Sequence, residues 1–175
     1  MGKPAVSIEV DDATGRWYVD GLPMMLIPQH FFLNNHYAVE NALGTEKLNA
    51  ILAPAEHLSA YVWCEHEAKQ HGLSGEDVFR HYMKRLSQRG WAQFEVVSVD
   101  GKTCRAQVKV TQSIFVTGRH GGEPRKLCGM FAPWMHGSLE YVAKAAGGPS
   151  RLVAREVHCQ GEGGHDHCLF EVTPA

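Results

Sequence analysis

Three cysteines and a glutamate in the last third of the chain constrain its fold more than any other feature. Cys128, Cys159 and Cys168 lie within residues 127–172, and Glu156 precedes the second cysteine by three residues. The eight-residue loop between Cys159 and Cys168 is rich in glycine, so both thiolates can turn towards one point. Thiolates and carboxylates are ligands of zinc-class ions. We predict that these four residues bind one divalent ion, either zinc or iron, in a closed structural site.

Three histidines near the cysteines leave the ligand set open. If His158, His165 or His167 replaced Glu156, or if Glu156 could dissociate, the ion would keep a position for water, as catalytic zinc does. The alternative, which we favour, is that these histidines are exposed or hydrogen-bond to the thiolates or the backbone around the ion. His167 directly precedes Cys168, so on a strand it would point away from the metal.

Composition indicates an intracellular globular protein. The 175 residues fit a single domain spanning 1–175. A net charge of -2 without a basic stripe gives no reason to expect a nucleic-acid partner. No apolar run approaches the roughly 20 residues that span a bilayer, so we expect no membrane association. Five cysteines, an odd number, and the lack of an export signal favour reduced thiols in the cytoplasm.

Residues 1–90 are predicted to be mainly helical. Residues 1–25 form an N-terminal hairpin and arm, because two short alternating stretches flank a turn-rich linker. Pro28 and Gly44 suit the two ends of a first helix, and a short second helix follows from Thr45. Pro54 is expected to start a third helix that runs to Gly72. A further helix is indicated by apolar residues at helical spacing: Val78, Phe79, Tyr82, Met83 and Leu86.

The second half changes to a period of two. Residues 94–99 and 102–110 alternate and are joined by Asp100-Gly101, the pair that a two-residue hairpin turn prefers. Residues 111–117 extend this strand or begin another. Residues 128–146 are predicted to be a helix, and 151–159 pairs with 169–172. The fold class is therefore α+β, with two layers in which helices pack on an antiparallel sheet.

The C-terminal motif resembles a known family. Cys128, then Gly137, a Gly-Pro pair, Arg155-Glu-x-x-Cys159 and a closing Cys168 are similar to the 4-vinyl-reductase-type small-molecule (hydrocarbon) binding domain. Sensors of phenol- and xylene-responsive transcription activators contain this domain. The resemblance implies zinc bound by Cys128, Glu156, Cys159 and Cys168. It also implies the fold of nitric-oxide-signalling and vesicle-tethering proteins, a buried apolar pocket and a homodimer.

The resemblance covers about a quarter of the chain, and the Cys159–Cys168 loop has one residue more than the family pattern. No ATPase or helix-turn-helix segment follows, so we expect an accessory or sensory protein of small-metabolite catabolism. Aromatic and histidine side chains are candidates to line the implied pocket: His30, Phe31, Tyr82, Trp134 and His136. For each of them a place in the core is the simpler alternative.

The third predicted helix carries a second group of metal-binding residue types. His57, Cys64 and His71 recur every seven residues, with Glu67 nearby. Two helical turns separate neighbours by about 10 Å, which is too far for one ion. We therefore expect a half-exposed helix face.

Two functions compete. The first is a zinc-containing small-molecule-binding protein, and the second is a metal-dependent hydrolase or lyase acting on a small metabolite. In the enzyme, His30, His136 or His165 would act as general acid or base, or zinc would polarise water. A third candidate is an adaptor with an exposed helix face.

Overall fold

The computed structural model describes residue 3 and residues 5–119, 121–148 and 151–175. Met1, Gly2 and Pro4 of the predicted arm and Pro149 of the Gly-Pro pair lie outside the described residues. The described ranges form the following helices and strands: β1 (Glu9–Asp11), β2 (Arg16–Val19), β3 (Leu22–Met24), α1 (Gln29–Leu43), α2 (Thr45–His71), α3 (Glu76–Gln88), β4 (Gln93–Asp100), β5 (Arg105–Thr111), α4 (Ile114–Thr117), α5 (Phe131–Ala146), β6 (Leu152–His158) and β7 (Cys168–Pro174).

The fold is α+β, as predicted. β4, β5, β7 and β6 lie in that order in one antiparallel sheet. Along β5 the side chains of Ala106, Val108 and Val110 are buried, and the residues between them are not. One face of the sheet therefore meets the helices, which is the expected alternation. The predicted N-terminal hairpin is present as β1 and β2, and β3 adds a third antiparallel strand.

The core lies between the sheet and three helices. The predicted apolar face of α3 is buried throughout, from Val78 to Leu86. α2 and α5 pack closely because α5 has glycine at the crossing point. A Cβ on Gly137 would lie 2.2 Å from the His57 carbonyl oxygen, so no larger residue fits without a shift of the helices. Among the described residues no helix is both long and apolar enough to cross a membrane.

The predicted break at Pro54 is wrong. α2 runs without interruption from Thr45 to His71, with Pro54 inside it. Proline removes one backbone hydrogen bond from a helix but does not forbid it. Here the buried residues on either side of Pro54, Leu48 and Ala60, are packed in the interior, and this packing outweighs the local preference.

The predicted two-residue turn is also wrong. β4 ends at Asp100 and β5 begins at Arg105, so four residues connect them. The Asp100 carboxylate accepts hydrogen bonds from the Lys102 and Thr103 amides at 2.8 and 3.0 Å, which builds a local turn that competes with the hairpin type. Cys104 is buried, but it lies in this turn with φ of 54° and not on the strand predicted over 102–110.

Two further boundaries differ from the prediction. α5 begins at Phe131 and not at Cys128, so Cys128 belongs to the preceding loop. Residues 114–117 form the short helix α4, whereas the sequence predicts a strand over 111–117. The Ser113 side chain accepts a hydrogen bond from the Phe115 amide and caps this turn.

Candidate metal centre and ligand cavity

The structure brings Cys128, Glu156, Cys159 and Cys168 together. One donor atom from each lies within 4.8 Å of every other. The three sulfur–sulfur distances are 3.9 Å between Cys128 and Cys159, 3.7 Å between Cys128 and Cys168, and 3.4 Å between Cys159 and Cys168. Tetrahedral zinc with bonds of about 2.3 Å would separate two sulfurs by about 3.8 Å. The separations suit a shared ion and are far longer than the roughly 2.05 Å of a disulfide.

Three segments carry these donors to one point. Cys128 comes from the loop before α5, Glu156 from β6, and Cys159 and Cys168 flank the turn that joins β6 to β7. A 3-10 turn, Gln160–Glu162, follows Cys159, and the Glu162 carboxylate accepts the Cys159 amide hydrogen bond at 2.7 Å. This turn packs directly on the loop before α5. The contact is so close that a Cβ on Gly161 would lie 2.6 Å from Leu127 Cδ1.

Backbone amides point at the sulfurs. The Leu127 and Gly161 amides donate to Cys159 Sγ at 3.4 and 3.3 Å, and the Gln160 amide donates to Cys168 Sγ at 3.3 Å. Such N–H···S bonds favour the thiolate form that binds metal. All three cysteines are fully buried. The donor set therefore suits a soft, thiolate-binding cation.

Protonation in the cluster is uneven without a cation. Hydrogen bonds from the Cys128 and Cys168 thiols hold the pKa of Cys159 well below its usual range. The pKa of Cys128 is raised, because its thiol hydrogen-bonds with Cys159 and Cys168 and is buried. Burial, followed by the neighbouring Cys159, raises the pKa of Glu156 to about 9. Glu156 Oε1 is buried without a hydrogen-bond partner among the described residues. A divalent ion would neutralise this cluster of acidic groups.

The three nearby histidines gather beside the centre and outside the four-donor cluster. His158 Nε2 lies 3.2 Å from His167 Nε2, and the rings of His158 and His165 stack at 4.2 Å. Glu156, and not one of these histidines, completes the group of four donors that the described residues form around the cysteines.

A cavity of about 410 Å³ opens between α2, α3 and the start of α5. Its lining is rich in aromatic residues and contains three tryptophans. Trp91 and Trp134 meet edge to face with centroids 4.9 Å apart, and Trp63 lies 4.8 Å from Tyr82. Eleven residues line it: Met24, Ala55, Glu56, Ser59, Trp63, Tyr82, Leu86, Arg89, Trp91, Met130 and Trp134.

The five residues predicted to line a pocket do not share one. Tyr82 and Trp134 line the aromatic cavity. His136 lines a different cavity of about 510 Å³, beyond the α2–α5 contact. His30 and Phe31 are exposed on α1, Phe31 by 58%, and line neither of these two cavities. α1 turns that face outward, which the isolated sequence pattern of a helix does not reveal.

Sequence reasoning missed the polar residues of the cavity. Glu56 and Trp63 are seven positions apart on α2, and Arg89 is the C-terminal cap of α3. The guanidinium of Arg89 lies 4.8 Å from the Trp63 ring centroid. The i, i+7 spacing signals one helix face, but only the tertiary fold brings Arg89 to it.

The face of α2 that carries His57 and His71 is split between two clusters. His57 meets His136 and Glu140 of α5, with His57 Nε2 2.6 Å from Glu140 Oε2. His71 meets Glu67 and His81, where His81 Nε2 lies 2.8 Å from the fully buried Glu67 carboxylate. The distance argument against one shared ion holds, but each histidine finds partners on another helix.

The chain is similar to known proteins in sequence and in fold. The sequence model of one family, described as a domain of unknown function (DUF5943), matches residues 2–97, more than half of the chain. The chain belongs to the DUF5943 family. The match spans α1 to α3 and includes Glu56, Trp63, Tyr82, Arg89 and Trp91 of the aromatic cavity. None of the curated proteins matches the chain.

A solved structure has the fold of this DUF5943 member. It is the crystal structure of the phenol-responsive sensory domain of the transcription activator PoxR with phenol. The two chains are 14% identical with a TM-score of 0.78, and the alignment covers 95% of this chain and 84% of that one. At this identity the likeness shows the fold alone.

Proposed function

We propose that this protein binds a small organic molecule in the aromatic cavity and acts as an accessory or sensory protein of small-metabolite catabolism. The observation that carries the proposal is the cavity itself, whose volume of about 410 Å³ lies in the usual range for ligand sites. Its lining is mostly apolar and aromatic with a few polar groups, which is the usual composition of such sites.

The comparison with PoxR supports a small aromatic ligand. That sensory domain responds to phenol, according to its description, and shares this fold. The order of cysteines, Glu156 and Gly137 adds to this support, and we propose that the chain is a 4-vinyl-reductase-type small-molecule-binding domain that occupies residues 1–175.

We also propose that Cys128, Glu156, Cys159 and Cys168 hold zinc. With four protein donors the ion would have a structural role and would link the β6–β7 turn to the loop before α5. Cys128 is two residues before Met130, which lines the cavity. The metal centre would therefore fix one wall of the ligand site.

Tryptophan fluorescence tests the binding proposal, because Trp63, Trp91 and Trp134 line the cavity. Phenol and larger phenols should change the emission of the wild-type protein in a saturable manner. Ala55→Phe, which fills the cavity, should abolish the change, and Ala146→Phe at an exposed position of α5 should not. Saturable binding that Ala55→Phe leaves intact would place the ligand elsewhere.

We propose a homodimer that forms through the segment after β3, and a cytoplasmic location that accords with five unpaired cysteines. Met25 and Leu26 are 84% and 77% exposed, and Ile27 follows them. A contiguous apolar stretch of this kind is typical of interaction surfaces. Sedimentation of the wild type and of Leu26→Lys would test the dimer, which the substitution should dissociate.

One observation favours the enzyme alternative. His57, His136 and Glu140 surround the second cavity with two imidazoles and one carboxylate, a donor set that leaves metal positions open to substrate. Isothermal titration with zinc tests this function after the cysteine centre is saturated. A second binding event that His57→Ala and His136→Ala both remove, together with ester hydrolysis dependent on it, would support a hydrolase.

A further inference from the structure

The aromatic cavity contains four buried polar atoms that lack partners. Glu56 Oε1, Trp63 Nε1, and Nε and Nη2 of Arg89 are inaccessible to solvent and make no hydrogen bond within the described part of the chain. Buried polar groups in folded proteins are nearly always paired, so each exception requires an explanation. Here all three residues line the same cavity. A ligand that pairs with these atoms is the simplest explanation.

The hydrogen-bond donors among these four atoms lie together at one end of the cavity. Arg89 and Trp63 provide N–H groups only, and the 4.8 Å contact between the guanidinium and the Trp63 ring places them side by side. Glu56 lies seven residues before Trp63, two turns along the same face of α2. A ligand would thus meet donors at the Arg89 end and, towards the other end, the carboxyl group of a residue whose backbone lies about 10 Å from that of Trp63 along the helix.

Arg89 lacks a direct ion-pair partner among the described residues, and Glu67 and Asp20 act on its charge only from a distance. Neighbouring Arg85 pairs with Asp20 at 2.8 Å, whereas Arg89 has no acidic partner within 4.0 Å among the residues that the structure describes. Burial lowers the pKa of Arg89, but a guanidinium stays protonated at neutral pH. One cation with a fork of donors matches one carboxylate, and a phosphate dianion would require more positive charge than this cavity provides.

The walls between the two ends determine the rest of the ligand. Trp91, Trp134 and Tyr82 present aromatic faces and edges that accommodate a planar ring. We propose that the ligand is an aromatic carboxylic acid with its carboxylate on Arg89 and Trp63 Nε1 and a hydrogen-bond donor, such as a hydroxyl, towards Glu56. This inference rests on the proposed function and names the class of molecule that the cavity takes.

The test compares acids with neutral molecules of the same shape. One-ring and two-ring aromatic carboxylic acids with and without a hydroxyl group, each paired with its primary amide, are titrated into the protein while tryptophan emission is followed. A charge-assisted contact to Arg89 should make the best acid bind roughly tenfold or more tightly than its amide. Arg89→Gln should remove that preference, and Arg80→Gln, at an exposed position of the same helix, should retain it.

A second variant protects the test against misfolding at Arg89. Trp63→Phe keeps an aromatic ring and removes the N–H group, so it should weaken acid binding severalfold with an unchanged circular dichroism spectrum. Equal affinity for acids and amides, or a preference that survives Arg89→Gln, would overturn the ligand class and leave the proposed function standing. If neither acids nor amides bind, and phenol does not bind either, the proposed function itself fails.

Discussion

At the scale of single residues, the Cys159 thiol of the metal centre and the Glu56 carboxyl of the cavity have pKa values shifted in opposite directions. Cys159 Sγ accepts hydrogen bonds from two backbone N–H groups and from the Cys168 thiol, so its thiolate is stabilised. Glu56 receives no such support, and burial raises its pKa to about 7. The first arrangement favours a bound cation, and the second favours a carboxyl group that is partly neutral near physiological pH.

Replacing Glu56 by glutamine should change the pH dependence of stability. Since folding raises the pKa of Glu56 from 4.5 to about 7, the folded state holds this proton more tightly than the unfolded chain. The contribution of this bound proton to the free energy of unfolding is complete below pH 4.5 and is lost as the pH rises through about 7. The glutamine of Glu56→Gln cannot ionise. As the pH rises from about 5 to about 8, the free energy of unfolding of this variant should therefore increase relative to that of the wild type by on the order of 1–2 kcal/mol, a figure that allows for the partial exposure of the group.

Urea unfolding across this pH range measures the difference. Glu65→Gln is the matched control, because Glu65 lies on the same helix but is exposed. Parallel curves for wild type and Glu56→Gln at every pH would contradict the raised pKa.

Replacing Cys159 by serine should remove the metal. The substitution exchanges a central thiolate for a weak hydroxyl ligand, so the purified protein should lose most of its zinc and roughly 4 kcal/mol or more of its free energy of unfolding. Elemental analysis and urea unfolding are the measurements. Cys64→Ala, in a buried cysteine remote from the four-donor cluster, should keep the full metal content; equal metal loss in both variants would argue against this ligand set.

At the scale of secondary structure, the sequence predicted what local patterns determine and missed what packing decides. The apolar face of α3 and the alternation of β5 follow from periodicity and are confirmed. The continuous α2 depends on burial around Pro54, and the start of α5 at Phe131 depends on the loop that carries Cys128. The proximity of the four donors agrees with the motif. Arg89, at the end of α3, reaches the cavity only through the packing of α3 on α2, for which no local signal exists.

Gly137→Ala should separate α2 from α5. Alanine is normally the better helix former, yet its Cβ would meet the His57 carbonyl oxygen at 2.2 Å. The strain should therefore reduce the free energy of unfolding by about 1–3 kcal/mol. Denaturant unfolding measures this loss, with Ala145→Ser at an exposed position of the same helix as control. A stabilised Gly137→Ala protein would show that the helices tolerate a wider spacing.

At the scale of the whole molecule, the metal centre and the cavity meet at one end of α5. The loop through Cys128 leads directly to Met130 and Trp134, and both line the cavity. Lys126 Nζ donates to the backbone carbonyls of Glu156 and Val157 at 2.7 and 2.8 Å, which adds a second link between this loop and β6. The sheet, the loop and α5 are thus joined around the proposed ion.

Removal of the ion should therefore weaken both folding and ligand binding. An ion bound a hundredfold above its dissociation constant contributes about 2.7 kcal/mol, which for a chain of this size corresponds to a fall in Tm of roughly 5–10 °C on chelation. Without that link the loop at Cys128 is held to the β6–β7 turn less firmly, so Met130 and Trp134 lose their fixed positions and the affinity for an aromatic acid falls.

Thermal melts and titrations with an aromatic acid before chelation, after it and after zinc is restored measure both effects. Recovery of Tm and affinity with zinc but not with magnesium, which avoids thiolate ligands, would assign the effects to the cysteine centre. A chelated protein with unchanged Tm and affinity would show instead that the thiol cluster is stable without an ion and that the cavity wall is held by packing alone.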